Sequence, residues 1–342
     1  MDKVKIKDVC DILNGFAFKS DNYVDKGIRI IRIANVQKGY IEDSTPAFYP
    51  LNSTGLDKYM LDKGDLLISL TGNVGRVAIL QEEMLPAALN QRVACLRIKS
   101  DKISKGYLFH ILNSDFFERK CIQSAKGVAQ KNMSTEWLKN YKIPLYSTEQ
   151  QSEIVSVLDT LQSIICNRKY ELQMLDNLIK ARFVEMFGDA YSNPRGLPVL
   201  EWDDVFNTTT GKLDSNAATE NGAYPFFTCS KEALRIDKYA FDQEALLLAG
   251  NNAAGKYDVK HYNGKFNAYQ RTYVLSLKQE WSYALFKYQL EDKLVYLQQQ
   301  SLGGLTKYLT MKILGDLTFL LPSMDEQKQF EDFVAQIDKS KF

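Results

Sequence analysis

Gly250, Gly255 and Lys256 stand at the spacing G-x-x-x-x-G-K, directly behind the apolar stretch 245–249. In a phosphate-binding loop, backbone N–H groups at this spacing cradle phosphates, the lysine reaches them, and a following Ser or Thr holds Mg²⁺. Tyr257 follows the lysine here, and a phenol cannot replace that hydroxyl. Further on, Asn263 and Gly264 read as a turn between strand-like runs, where a phosphate-binding loop would open a helix. The residues fit a Gly-rich tight turn joining two strands better, with Asn251, Asn252 and Lys256 at its tip. Other chemistry is sparse. The five cysteines, Cys10, Cys95, Cys121, Cys166 and Cys229, form no C-x-x-C pair, which favours reduced thiols and argues against zinc. Only two histidines occur, His110 and His261, too few for a histidine metal cluster and without an evident triad.

Something must position these loops. The chain has 342 residues, 45% of them hydrophobic and 12% aromatic, with a net charge of +1. That length allows two domains with ordinary cores. The charge is uneven: residues 1–147 carry 22 Lys and Arg against 16 Asp and Glu, while the remainder is slightly acidic. A near-neutral total does not exclude a basic stripe on one face. The N-terminus MDKVKIKDVC lacks the apolar centre of a signal peptide. No apolar run approaches the ~18 residues of a membrane span, so a soluble, cytoplasmic chain without membrane contact is expected.

The sequence repeats itself at a long period. GDLLISLTGNVGRVAIL (64–80) matches QEALLLAGNNAAGKYDV (243–259), each an apolar run, then Gly-Asn, then Gly-basic, then apolar residues again. ALNQRVACLRI (88–98) matches NAYQRTYVLSL (267–277). Two helix-like stretches, 107–124 and 283–300, correspond next, then 125–145 with 301–321, and STEQQSEI (147–154) with SMDEQKQF (323–330). The common order and near-constant offset imply internal duplication. In the first half the equivalent of the Gly-rich turn is TGNVGR, too short for G-x-x-x-x-G-K.

Between the halves, Ile154, Leu158, Leu161, Ile165, Arg168, Leu172, Leu175, Ile179, Arg182 and Met186 are spaced alternately four and three. This is the 3.5-residue period of a coiled-coil seam. No Pro or Gly interrupts 147–187; Thr148 suits the helix start and Gly188 its end. Some 40 residues make a rod of about 60 Å. The tail repeats the pattern over half that length with Phe330, Val334 and Ile337, so the two helices would pair unequally. The expected layout is a first domain at 1–147, the central helix at 148–188, a second domain at 189–322 and a short helix at 323–342.

These motifs resemble the DNA-specificity (S) subunit of type I restriction–modification systems. The resemblance rests on GDLLISLTGNVGRVAIL, on LNQRVACLRI, and on KGVAQKNMSTEWLKNYKIPLYSTEQQSEIVSVLDTL running on to KARFVEMFGD. It covers essentially the whole chain. It implies an α+β fold with two duplicated target-recognition domains, each reading half of a split DNA sequence, and helices forming an antiparallel coiled coil that spaces them. It implies a non-catalytic subunit whose partners are double-stranded DNA, methyltransferase subunits and a restriction subunit. S-adenosylmethionine and ATP would then bind those partners, leaving no cofactor or metal in this chain. Consistent with that, no N-P-P-Y or D-P-P-Y segment occurs. In such subunits the second helix is comparable to the first. Here it is half as long, so the unpaired part of the long helix could associate with another copy of the chain. Two other functions remain open on the residues alone: a coiled-coil adaptor binding proteins and not DNA, and a P-loop nucleotidase.

Base edges are read mainly by Arg, Lys, Asn and Gln, and phosphates by Lys, Arg, hydroxyls and backbone N–H groups. The candidates are therefore at loop tips. In the first half they are Thr71, Asn73, Arg76, Asn90, Gln91, Arg92, Lys126, Gln130 and Lys131. In the second they are Asn251, Asn252, Lys256, Tyr269, Gln270, Arg271, Lys307 and Tyr308. Two readers of different sequences should differ at base contacts, so the shared Gln-Arg pair points to phosphate contact or framework hydrogen bonding for Arg92 and Arg271.

Overall fold

A computed structural model of the chain describes residues 2–125, 131–253 and 255–341. It divides into two compact units, Met1–Asn167 and Arg168–Phe342. The division falls inside one helix, Thr148–Phe187, not at its end.

The first unit contains two four-stranded sheets. In one, Cys10–Asn14, Val93–Ile98, Leu66–Ser69 and Val77–Ile79 lie side by side, all antiparallel. In the other, Ile28–Ile31 and Ala87–Leu89 are parallel neighbours flanked by Phe48–Tyr49 and Met60–Leu61. The strand Leu66–Ser69 is buried on both faces. Leu66 and Ile68 join a core with Leu96, Leu108 and Phe117, while Leu67 joins a second core with Ile31, Ala78 and Cys95. That division follows from the two-residue period of a strand. Three short helices, Lys105–Leu112, Asp115–Ser124 and Thr135–Asn140, cover the first core. Each starts at a serine, Ser104, Ser114 or Ser134, whose side chain accepts an N–H three residues on. Each such cap contributes about 1 kcal/mol.

The second unit is built on a six-stranded sheet in the order Phe206–Thr210, Thr272–Leu277, Phe241–Ala249, Val259–Ala268, Tyr224–Phe227, Leu234–Ile236. Again the central strand serves two cores: Leu246 and Leu248 pack with Trp202, Leu275 and Phe286, Leu247 with Phe227, Phe266 and Val274. Helices Tyr283–Asp292, Leu294–Gln300 and Met311–Gly315 lie in this unit. Its C-terminal helix, Met324–Ser340, begins with a capping box between Ser323 and Glu326.

Three sequence expectations are corrected. Asn263 and Gly264 do not turn the chain. Both lie within the strand Val259–Ala268, opposite Glu244 and Gln243, and Gly264 absorbs a φ of +128° that a Cβ would resist. The helix-like stretches 107–124 and 283–300 are each two helices. In the first, Ser114 caps a new helix in mid-pattern; in the second, the break falls at Lys293. The end of the seam also departs from expectation. Ile154 packs on the first unit's core, but Leu158, Leu161 and Ile165 are exposed. In the second unit, Phe183 and Phe187 are the buried residues, and their rings stand 5.7 Å from that of Phe330. Ile179 and Val334 pack at the edge of the same core, and Ile337 is buried. Leu172 and Leu175 are half-buried. At the other end of the pair, the Arg168 guanidinium donates to the Lys341 carbonyl at 2.8 Å and Lys341 bridges to Asp176. Within the second unit the two helical segments therefore run antiparallel. Among the described residues no helix is long and apolar enough to cross a membrane.

Candidate nucleic-acid interface

In the first unit the backbone draws three segments together at one edge. Leu70 N–H donates to the Arg92 carbonyl at 2.9 Å, Met133 N–H to the Leu70 carbonyl at 2.8 Å, and Gly72 N–H to the Lys131 carbonyl at 2.9 Å. Gln91 N–H donates to the Phe16 carbonyl at 2.9 Å, and Val93 N–H closes a tight turn on the Asn90 carbonyl at 2.9 Å. The second unit has the same frame at equivalent positions. Gly250 N–H donates to the Arg271 carbonyl and Leu309 N–H to the Gly250 carbonyl, both at 2.8 Å. Gln270 N–H donates to the Leu213 carbonyl at 2.9 Å, and Thr272 N–H to the Tyr269 carbonyl at 2.8 Å. At both places the main chain of the Gln-Arg pair ties two strands to the loop beside them. Its side chains are exposed at both places.

Side-chain placement sorts the candidates. Asn73, Gln91, Arg92 and Lys131 are exposed in the first unit. Thr71 is buried, and its hydroxyl donates to Asn132 Oδ1 at 2.5 Å. Asn90 is half-buried, its Oδ1 accepting the Arg92 N–H at 3.2 Å. Arg76 is half-buried and donates from Nη1 to Gln37 Oε1. In the second unit Lys256, Gln270, Arg271 and Tyr308 are exposed. Asn251 and Asn252 pair as a short strand with Tyr308 and Lys307, so these four sit together, half-buried apart from Tyr308. Tyr269 is half-buried, with its N–H on the Phe227 carbonyl at 2.9 Å. Lys126 and Gln130 lie outside the described residues.

The described residues of the Gly-rich turn connect two strands and open no helix, where a phosphate-binding loop would open one. The segment leaves the strand Phe241–Ala249, passes Asn251 and Asn252, and returns as the antiparallel strand Val259–Ala268. Tyr257 is 7% exposed and belongs to the main core of its unit. Burial pushes its phenol above the ordinary range. Its ring fills that core. Nearby, the Tyr273 phenol donates to the Leu309 carbonyl at 3.0 Å and is also pushed up by burial. In the first-unit turn, Gly75 has φ +84°, and a Cβ there would lie 2.7 Å from the Cβ of Cys121. The helix Asp115–Ser124 thus packs directly on the turn. Among the described residues no group of three His, Cys, Asp or Glu could hold a metal ion.

Three residues at these edges are missing from the candidate contacts. Gln37 and Asn132 hold Arg76 and Thr71, which only the folded register reveals. Leu305, 95% exposed, sits in SLGGLTKY, where a leucine inside a Gly-rich turn without any helix or strand period was the available sign.

A family model described as the type I restriction modification DNA specificity domain matches residues 1–174 and 194–342. The chain is 38% identical over 149 residues to the type I restriction enzyme EcoDI specificity subunit of Escherichia coli, covering 42% of this chain and 32% of that one. It is 32% identical over 184 residues to the MjaVIII specificity subunit of Methanocaldococcus jannaschii, covering 52% and 43%. The matched stretches thus span less than half of those relatives. In fold, the chain is similar to a crystal structure of a type I restriction–modification S subunit from M. genitalium, with a TM-score of 0.64 at 15% identity, covering 99% of this chain and 90% of that one.

Proposed function

The chain belongs to the type I restriction modification DNA specificity family, and from that premise we propose that it is a non-catalytic subunit that selects a bipartite DNA target. The observation that carries this is the recurrence of one hydrogen-bond frame at the edges of two units. Two similar surfaces, each presenting Asn, Gln, Lys and Arg on the same scaffold, suit two half-sites. In the first unit Asn73 and Gln91 offer base-reading groups, and Arg92 and Lys131 offer phosphate contacts. In the second, Asn251, Asn252 and Gln270 face bases, while Lys256, Arg271 and Lys307 meet phosphates.

On this proposal the two units are duplicated target-recognition domains, and the antiparallel helical segments belong to a coiled-coil spacer. Methyltransferase subunits and a restriction subunit assemble on the chain, bringing S-adenosylmethionine and ATP. Val157, Leu158, Leu161, Ile164 and Ile165 are all exposed on the long helix. They give it an apolar surface for another chain, a methyltransferase subunit or a second copy of this one. The place of action is the cytoplasm, where the DNA is.

The test is to express the chain with its methyltransferase partner and map modified bases across the genome. A motif in two parts with a constant spacer is expected. An undivided motif, or no sequence-dependent modification, overturns the proposal.

A further inference from the structure

Residues 302–308 of the second unit form a small hairpin beside the proposed DNA edge. Leu302 N–H donates to the Tyr308 carbonyl at 3.1 Å, and Tyr308 N–H returns to the Leu302 carbonyl at 2.9 Å. The hairpin is anchored sideways, because Tyr308 and Lys307 also pair with Asn251 and Asn252. Gly303 makes the turn possible. Its φ is +99°, and a Cβ there would lie 2.2 Å from the Thr306 carbonyl oxygen. Gly304 meets nothing within 4 Å. Beyond it stands Leu305, 95% exposed, the most exposed large hydrophobic residue among those described.

At the base of the hairpin Leu302 and Tyr308 are partly exposed, at 48% and 43%, and a lysine stands beside them. Lys307 lies on the returning arm, and the position a Cβ would take at Gly255 is 3.3 Å from Lys307 Cγ, which places the Gly255–Lys256 turn against the hairpin base. Lysines at the base suit phosphates. Among the tip's side chains, only the Thr306 hydroxyl could form a hydrogen bond with a base.

A hairpin enters the major groove of undeformed B-DNA, about 12 Å wide, more readily than the minor groove of about 6 Å. In the major groove the base edges present donors, acceptors and one kind of apolar group, the 5-methyl of thymine. An aliphatic tip can gain nothing from the donors and acceptors. We infer that Leu305 reads the 5-methyl group of a pyrimidine in the half-site bound by residues 168–342. This rests on the DNA-reading function proposed above and names a specificity contact within it. Thymine supplies that methyl in unmodified DNA, and 5-methylcytosine presents the same group.

The test uses the chain assembled with its methyltransferase subunits and duplexes of its mapped target. Each thymine of that half-site is replaced in turn by uracil, which removes the methyl and keeps the pairing, and each cytosine by 5-methylcytosine. If thymine is read, one uracil position weakens binding about fourfold, the effect of losing one buried methyl. If 5-methylcytosine is read, one such position strengthens it by the same factor. In either case Leu305→Ala abolishes the difference and leaves the salt dependence of binding unchanged. The inference is overturned if no position responds, or if Leu305→Ala still distinguishes the methylated base. A wild-type assembly that binds DNA without any sequence preference overturns the DNA-reading proposal together with it.

Discussion

Gln151 Oε1 accepts the backbone N–H of Ser104 at 2.9 Å, fastening the start of the long helix to the residue that caps the helix Lys105–Leu112. Its Nε2 donates to the Lys102 and Tyr146 carbonyls at 2.8 and 3.0 Å. In the second unit Gln327 Oε1 accepts the N–H of Ser282 at 3.1 Å, and its Nε2 donates to the Pro322 carbonyl at 3.0 Å. Both glutamines are buried, at 0% and 2% exposure. Gln151→Leu would keep the volume and leave a buried donor and two acceptors unsatisfied. It is expected to destabilise its unit by about 2–3 kcal/mol, read as a lower urea midpoint with an unchanged slope. Gln327→Leu should act alike on the other unit. A midpoint unmoved by either substitution would show that the clasp does not hold its helix.

Lys293 is 6% exposed, with its ammonium over the rings of Tyr191 at 5.3 Å and Phe319 at 5.6 Å. Burial lowers its pKa from the ordinary lysine range, against the opposing pull of Asp292 and Asp189. Between the lowered folded value and the ordinary unfolded one, the unfolded chain binds more protons, so this group makes stability rise with pH. Its burial costs stability at neutral pH, and the cost fades as the amine loses its proton. Lys293→Met is therefore expected to stabilise the second unit by about 1 kcal/mol at pH 7, with the gain shrinking toward pH 10. Thermal melts of both proteins across pH 7–10 check this; a gap that stays constant or widens refutes it.

Much of this architecture was legible because the signals were local. The long helix is free of Pro and Gly and strongly periodic, and it forms as Thr148–Phe187. The strand-turn-strand around Asn73 likewise follows from apolar runs and glycines. What escaped depends on competition between neighbours. Ser114 reads as one more helix residue until its hydroxyl is seen accepting the Phe117 N–H. The seam was misplaced by one residue at its end, for a geometric reason. A 3.6-residue helix drifts about 20° per heptad from a 3.5-residue pattern unless a partner imposes a supercoil. Over four heptads the drift is close to the angle of one residue, so Phe183 and Phe187 are buried where Arg182 and Met186 were expected inward. The candidate DNA contacts were legible as loop tips, but their partners Gln37 and Asn132 come from distant sequence and needed the fold.

The proposed phosphate and base contacts should separate in solution. Lys131 and Lys256 are exposed lysines in equivalent edges. Replacing either by alanine is expected to reduce the slope of log affinity against log salt by about 0.9 and leave the preferred sequence intact. Asn73 is exposed at its turn, and Asn73→Ala should instead relax one position of the first half-site with the salt slope unchanged. Arg76 is held by Gln37, so Arg76→Ala should disturb the slope less than Lys131→Ala. Binding titrations at several salt concentrations, with motif mapping for each variant, decide these assignments. A lysine variant that changes the motif contradicts them.

The helix shared by the two units offers the most direct test of spacing. Residues 168–187 are committed to contacts with the C-terminal helix, whereas Leu161, Ile164 and Ile165 lie exposed. Four residues inserted after Gln162 would lengthen the helix by about 6 Å and rotate everything beyond by a net 40° or so. B-DNA advances about 3.4 Å and turns roughly 35° per base pair. The insertion therefore corresponds in both translation and rotation to one or two base pairs. The expected result is a modified-base motif with the same two half-sites and a spacer longer by one or two base pairs, from a protein of undiminished helical content by circular dichroism. If the inserted protein modifies the original spacer at its original rate, the helix does not set the distance, and the spacing must be fixed by the partner subunits.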